Sequence, residues 1–348
     1  MIRILTVLVA GLLFADLSVE AADKTVKVFI LAGQSNMEGK ARNSLLEYQA
    51  TDAKTSELFA HLRQGDKWVV RDDVFIKFLN RKGPLTVGYG SRDCTGVELE
   101  FGTVMGDHFD QPVLLIKTAW GGHSLYKLFR SPSAGLPEEM LQKDLDQAQK
   151  RIKQSNEKNK KDAPLPTLED IRKEYGSSYR NMMAEVKEVQ ENYSTLFPEL
   201  EGTTLELAGF VWFQGFNDMF GAQDEYASNM RHFIKDVRQD LNAPHLPFVI
   251  GALGQNGSKE ATGGMLTVRD AQLSMNEVPE FQGNVKAFRV DLLVDKEAEA
   301  MFPNWQNEPE WVHTGSDRPY HYYGSAIWFN RIGKKMGEEM LELMKTPK

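Results

Sequence analysis

VFILAGQSNMEGKA, residues 28–41, is the stretch on which the fold turns. Its apolar opening has the length and β-branched content of a buried strand, and the run stops at Ala32-Gly33. Gln34-Ser35-Asn36 follows, leading into a segment with helical character. A strand, a tight turn and a helix suit Ser35 to either of two tasks. It can be a nucleophile displayed at a strand end beside a backbone N–H that holds an oxyanion, or a polar residue capping the helix. The G-x-S-x-G elbow is absent, and these residues alone leave both readings open.

Working outward, apolar runs of strand length recur at residues 26–31, 113–117, 207–213, 248–253 and 285–290. Between them lie helical patterns at 96–109, 179–193, 224–241, 266–278 and 324–344. Strands alternating with helices imply parallel pairing in a sheet covered on both faces, hence a three-layer α/β/α sandwich. In such sheets ligands bind outside the carboxyl ends of the strands, so the chemistry is sought there.

The first 22 residues are read apart from the fold. One early cation at Arg3, an apolar run at 4–14 and small residues at 19–22 have the layout of a secretory signal peptide. The run is shorter than the roughly 20 apolar residues of a spanning helix, so an exported protein with no membrane attachment after cleavage is expected. Residues 23–348 then form a single domain. A net charge of −8, from 41 basic and 49 acidic residues, argues against a nucleic-acid partner, which needs a concentrated basic surface. Cys94 is the only cysteine, which excludes an intramolecular disulfide and a cysteine-built zinc site; a small buried residue is expected there. Residues 132–198 depart from the rhythm, being rich in Lys, Glu, Asp and Gln, and read as a solvated helical insertion broken near Pro164 and Pro166.

Three more polar blocks matter. Lys117-Thr118-Ala119-Trp120-Gly121-Gly122 ends the second of these strands, where glycines permit close backbone approach and a second oxyanion donor. Gln214-Gly215-Phe216-Asn217-Asp218 ends the third; Asn217 is placed to donate from its amide and Asp218 to brace the loop, an Asx-type turn being the competing reading. Asp317-Arg318-Pro319-Tyr320-His321 precedes the last helix, and a histidine with an upstream carboxylate can serve as general base.

GQSN, a strand-end glycine, GFND and a late Asp-plus-His, in that order, resemble the SGNH hydrolase superfamily. LAGQSNMEG with WFQG, KTAWGG and YHYYGSA resembles its sialate O-acetylesterase branch, which includes acetylxylan esterases. The resemblance spans residues 26–344 apart from the charged insertion. It implies a flavodoxin-like, mostly parallel five-stranded sheet and a serine esterase that removes acetyl or other short acyl groups from carbohydrates, with no metal or other cofactor. Ser35 would be nucleophile and His321 base, with Asp317 orienting the ring. The N–H groups of Ser35 and Gly122 (or Gly121) and the Asn217 amide would form the oxyanion hole, with Gln34, Gly121, Gln214 and Asp218 in support.

The family's D-x-x-H becomes D-x-x-x-H here, so Glu310, Asp295 or a backbone carbonyl are alternative partners for the ring, and His313 is a second candidate base. The rival functions are an inactive carbohydrate-binding protein, with Trp120, Trp212, Trp305 and Trp311 as sugar-stacking candidates, and a lipase or thioesterase on the same scaffold.

Overall fold

The computed structural model describes residues 25–345; the signal-peptide reading of residues 1–22 lies outside them. A seven-stranded sheet forms the middle layer. In chain order its strands are β1 (Thr25–Gly33), β2 (Val74–Phe78), β3 (Arg81–Pro84), β4 (Val113–Ala119), β5 (Thr204–Phe213), β6 (Phe248–Ala252) and β7 (Val285–Arg289). They lie side by side as β7-β6-β5-β1-β4-β2-β3, with β3 antiparallel to β2 and every other pairing parallel. The five expected strands keep the flavodoxin-like order, and β2 and β3 extend the sheet beyond β4, correcting the strand number from five to seven.

Period-two alternation sorts the side chains of β1. Phe29 and Leu31 enter one core, whereas Val26, Val28, Ile30 and Ala32 enter the other. Helices α1 (Glu98–His108) and α6 (Ala326–Met344) cover the first face through Phe101, Met105, Trp328, Ile332 and Met336. Helices α3 (Ser177–Leu196), α4 (Tyr226–Asp240) and α5 (Gly263–Leu273) cover the second through Met182, Val186, Phe233, Ile234 and Val268. The three layers are therefore as expected. Both faces are buried, which is why β1 and β4 read as nearly unbroken apolar runs.

Only part of the charged segment projects. Helix α3 belongs to the covering layer, although the sequence places it inside the insertion. The protruding piece is the long helix α2 (Glu138–Asn159) with the short helix Leu168–Glu174, packed around a satellite core of Leu141, Ile171 and Tyr175. Cys94 is fully buried, in a two-residue strand paired with Ala41–Arg42. Among the described residues no helix is long and apolar enough to cross a membrane.

The strand order reverses at β1, whose neighbours β4 and β5 lead the chain in opposite directions. The carboxyl ends of β1, β4 and β5 are thus the edges of the switch-point crevice, and three of the four polar blocks begin there.

Candidate active site

Gly33 closes β1 with φ +157°, and a Cβ built on it would lie 2.2 Å from the Phe213 carbonyl oxygen. Only glycine lets β1 and β5 run this close at the point where the chain turns. The short helix Ser35–Glu38 begins at once, with Gln34 in the capping position and no side-chain cap. Ser35 stands at the first helical position, where its N–H has no intrahelical acceptor. Its hydroxyl caps nothing; it lies 2.9 Å from His321 Nε2. The hydroxyl thus faces the histidine and not the helix end.

His321 sits in the loop before α6. Its Nδ1 is 3.3 Å from the Arg318 carbonyl oxygen. That oxygen can only accept, so Nδ1 carries the hydrogen and Nε2 is left as acceptor for the Ser35 hydroxyl, the arrangement a general base requires. Burial and the nearby Lys40 charge hold the imidazole below its ordinary range, against smaller opposing effects of the Arg318 carbonyl and Glu38. The loop is tied to the serine's segment: the Ser316 hydroxyl donates to the Lys40 carbonyl, Arg318 to the Ser91 hydroxyl, and Ser91 to the Gly39 carbonyl.

Asp317 does not orient this ring, which corrects the expectation from the sequence. Both its carboxylate oxygens pair with Arg42, at 2.8 and 2.6 Å, and this contact draws its pKa down. The extra residue between Asp317 and His321 turns the carboxylate outward. Asp295 accepts from Ser325, whose hydroxyl in turn caps α6, and Glu310 contacts His313 at 3.1 Å, so neither serves His321. A backbone carbonyl fills the place, one of the alternatives left open. His313 stacks on Tyr48 and makes no contact with Ser35.

A buried amide network backs the serine. Gln34 Nε2 donates to Asn217 Oδ1 at 2.9 Å, and Gln34 Oε1 accepts from Gln214 Nε2 at 3.0 Å and from the N–H groups of Gly215 and Asn217. With its oxygen so held, Asn217 presents its NH2 as the remaining donor, and that group has no acceptor among the described residues. Gln214 is buried, also donating to the His123 carbonyl and to Asp218. Asp218 accepts from the N–H groups of Leu125 and Tyr126 at 2.9 and 2.7 Å, lashing the loop after β4 to the loop after β5. Its complete burial pushes its pKa up to about 6, with the three donors pulling the other way. Gln34, Gln214 and Asp218 are thus internal supports.

In the loop after β4, Gly121 donates its N–H to Glu38 Oε1 at 2.8 Å, whereas the Gly122 N–H meets no acceptor among the described residues. Gly122 has φ +80°, a conformation suited to glycine. Of the tryptophans, Trp212 and Trp311 are buried, Trp305 packs on Trp311, and Trp120 is half-buried at the end of β4. Sequence reasoning missed Glu38, Lys40 and Arg318. Glu38 and Lys40 lie inside or beside the opening motif, but nothing in it reveals which distant groups they meet.

This chain matches the family described as carbohydrate esterase, sialic acid-specific acetylesterase, over residues 25–161 and 167–297; the match ends before His321. A probable carbohydrate esterase of Arabidopsis thaliana is 36% identical over 72 residues, 20% of this chain and 26% of that protein. The matched stretch is therefore about a quarter of that relative's length. Among solved structures, a protein from Arabidopsis thaliana superposes with a TM-score of 0.49 at 16% identity, over 90% of this chain and 97% of that one. A carbohydrate acetylesterase from Xanthomonas citri gives 0.41 at 14% identity, over 77% of this chain and 51% of that one.

Proposed function

Because this chain belongs to the carbohydrate esterase, sialic acid-specific acetylesterase family, we propose that it removes O-acetyl groups from carbohydrates through an acyl-enzyme on Ser35. The observation that carries the reading is the 2.9 Å contact of Ser35 Oγ with His321 Nε2, on a ring whose other nitrogen faces a carbonyl.

His321 takes the Ser35 proton as the serine oxygen attacks the acetyl carbonyl. The oxyanion is received by the N–H groups of Ser35 and Gly122 and by the Asn217 amide. The tetrahedral intermediate collapses, and His321 returns the proton to the departing sugar hydroxyl. Water, deprotonated by the same imidazole, then attacks the acyl-enzyme and releases acetate. Each step uses a group of this chain in one of two protonation states.

Ser35→Ala tests the assignment directly. Acetate release from acetylated xylan or O-acetylated sialic acid is expected to fall at least about a thousandfold while the unfolding midpoint stays put. Retained turnover would remove Ser35 from the reaction. A lipase would show rising activity with acyl chain length on the same ester series, and a sugar-binding protein would bind the glycan without releasing acetate.

A further inference from the structure

Glu38 is one helical turn beyond Ser35, at i+3, on the face that Ser35 presents to the crevice. Its carboxylate is engaged at both oxygens. Oε1 accepts the Gly121 N–H at 2.8 Å, and Oε2 accepts from the Lys40 ammonium group. The backbone oxygen of the same residue accepts from the buried Lys117 at 2.9 Å. Gly121 lies beside both helical residues: a Cβ built on it would be in van der Waals contact, 3.6 Å from Glu38 Oε1 and 3.7 Å from the Ser35 Cβ.

A carboxylate in this place has two consequences. By taking the Gly121 N–H it ties the loop after β4 to the serine's helix at the residue next to Gly122. It also acts to raise the pKa of His321, against the larger lowering by burial and Lys40, on a ring that meets no carboxylate directly among the described residues. The charged groups that act on His321 are Lys40, Glu38 and Arg318. Those that feel Glu38 in turn are Lys40, His123, His321 and Lys117.

We propose that Glu38 is a positioning residue of this site, locking the loop after β4 against the nucleophile's own helix. The inference rests on the esterase reading for its kinetic part and on geometry alone for the rest.

Two variants of the full chain separate the functions of this carboxylate. Glu38→Ala removes both the acceptor and the charge; Glu38→Gln keeps an oxygen for the Gly121 N–H and removes the charge. On 4-nitrophenyl acetate, Glu38→Ala is expected to lower kcat about tenfold or more with KM within about twofold, the pattern of a lost transition-state contact. Glu38→Gln is expected to recover most of the plateau kcat, with the acid limb of kcat/KM moved to lower pH.

Two NMR measurements on the same proteins do not depend on turnover. The His321 imidazole should titrate at lower pH in Glu38→Gln than in the parent, and Gly121 amide exchange should quicken in Glu38→Ala but stay slow in Glu38→Gln. An unmoved His321 titration together with unchanged Gly121 protection would overturn the proposal, as would a Glu38→Ala variant with parental kcat. An inactive parent would sink the esterase reading, and the titration and exchange would still decide the role of Glu38.

Discussion

His321 meets a carbonyl where a relay histidine usually meets a carboxylate, and the difference has chemical consequences. A carbonyl fixes the tautomer as well as an aspartate does, but offers only a partial charge to the imidazolium that forms during attack. Asp317 is half-exposed and spent on Arg42, an exposed pair of the kind worth about 0–1 kcal/mol. Asp317→Asn should therefore reduce kcat/KM for acetyl esters by less than about tenfold, against the roughly ten-thousandfold loss when a relay aspartate is so replaced. A loss of the larger size would return Asp317 to the relay. Lys40 bears on the same ring with the opposite sign to Glu38. In the proposed mechanism the imidazole must be neutral to accept the serine proton, so kcat/KM is expected to fall as pH drops through its pKa, which burial and Lys40 hold below the usual value. Lys40→Met removes the second of these causes. The acid limb of the pH–kcat/KM profile should move to higher pH, and an unmoved midpoint would show that the Lys40 charge does not reach the ring.

The strands deliver these groups, and beneath the serine's helix they do so with a buried charge. Lys117, on β4, and Glu98, at the start of α1, form a 2.7 Å pair with both side chains fully buried. Lys117 also donates to the carbonyls of Glu38 and Tyr89, and Glu98 accepts from the Gly96 N–H. Burial draws the Lys117 pKa down and the Glu98 carboxylate opposes this. Breaking such a pair on one side leaves an uncompensated charge, so Lys117→Met should cost about 3–5 kcal/mol of stability in denaturant unfolding. Lys117→Met with Glu98→Leu should regain most of that and remain slow in turnover, because the Glu38 carbonyl still lacks its donor. A double variant with full activity would show that the pair does not steady the serine's helix. This pair also illustrates what can be read in advance. The apolar run of β4 and its glycine ending announce a strand and a crevice, yet nothing local to Lys117 tells that its amine turns inward under a loop far away in the chain. Likewise β2 escapes because Lys77 breaks VFIKF, its amine being carried to Glu188 on α3. β3, RKGP, has no strand-like side chain and exists only by pairing at the sheet edge. Three polar blocks are legible because strand ends carry them, and the fourth because it stands just before the last helical pattern; Glu38 and Lys40 take their meaning from residues brought near by folding.

In the molecule as a whole, the serine stands at the switch point of the sheet, and two of its three partner blocks arrive from the strands on either side, the third from the loop leading into α6. The protruding helices contribute none of them. They are joined to the body through Tyr126, which packs on Tyr175, and through Lys127, which pairs with Asp144 and Glu174. The chain returns close to where it left: the Gly176 N–H bonds the Lys127 carbonyl and the Ser178 N–H bonds the Leu128 carbonyl, each at 2.8 Å. The satellite core of Leu141, Ile171 and Tyr175 is separate from the two cores that flank the sheet. A segment with its own small core and adjoining ends can be excised with little effect on what remains. Replacing residues 138–174 by a short glycine-serine linker should leave a single cooperative thermal transition. Its midpoint should fall by only about 2–4 °C for each kcal/mol lost from the Lys127 pairs and the Tyr175 contacts. Because Asp218 still holds the Leu125 and Tyr126 amides, kcat/KM on a small acetyl ester should stay within about threefold of the parent. Loss of cooperative unfolding would make the projection part of the folding unit. A stable variant that loses turnover on the small ester would instead place the insertion in support of the loop after β4, and the Asp218 contacts would then be insufficient to hold Gly122 in the position proposed for it.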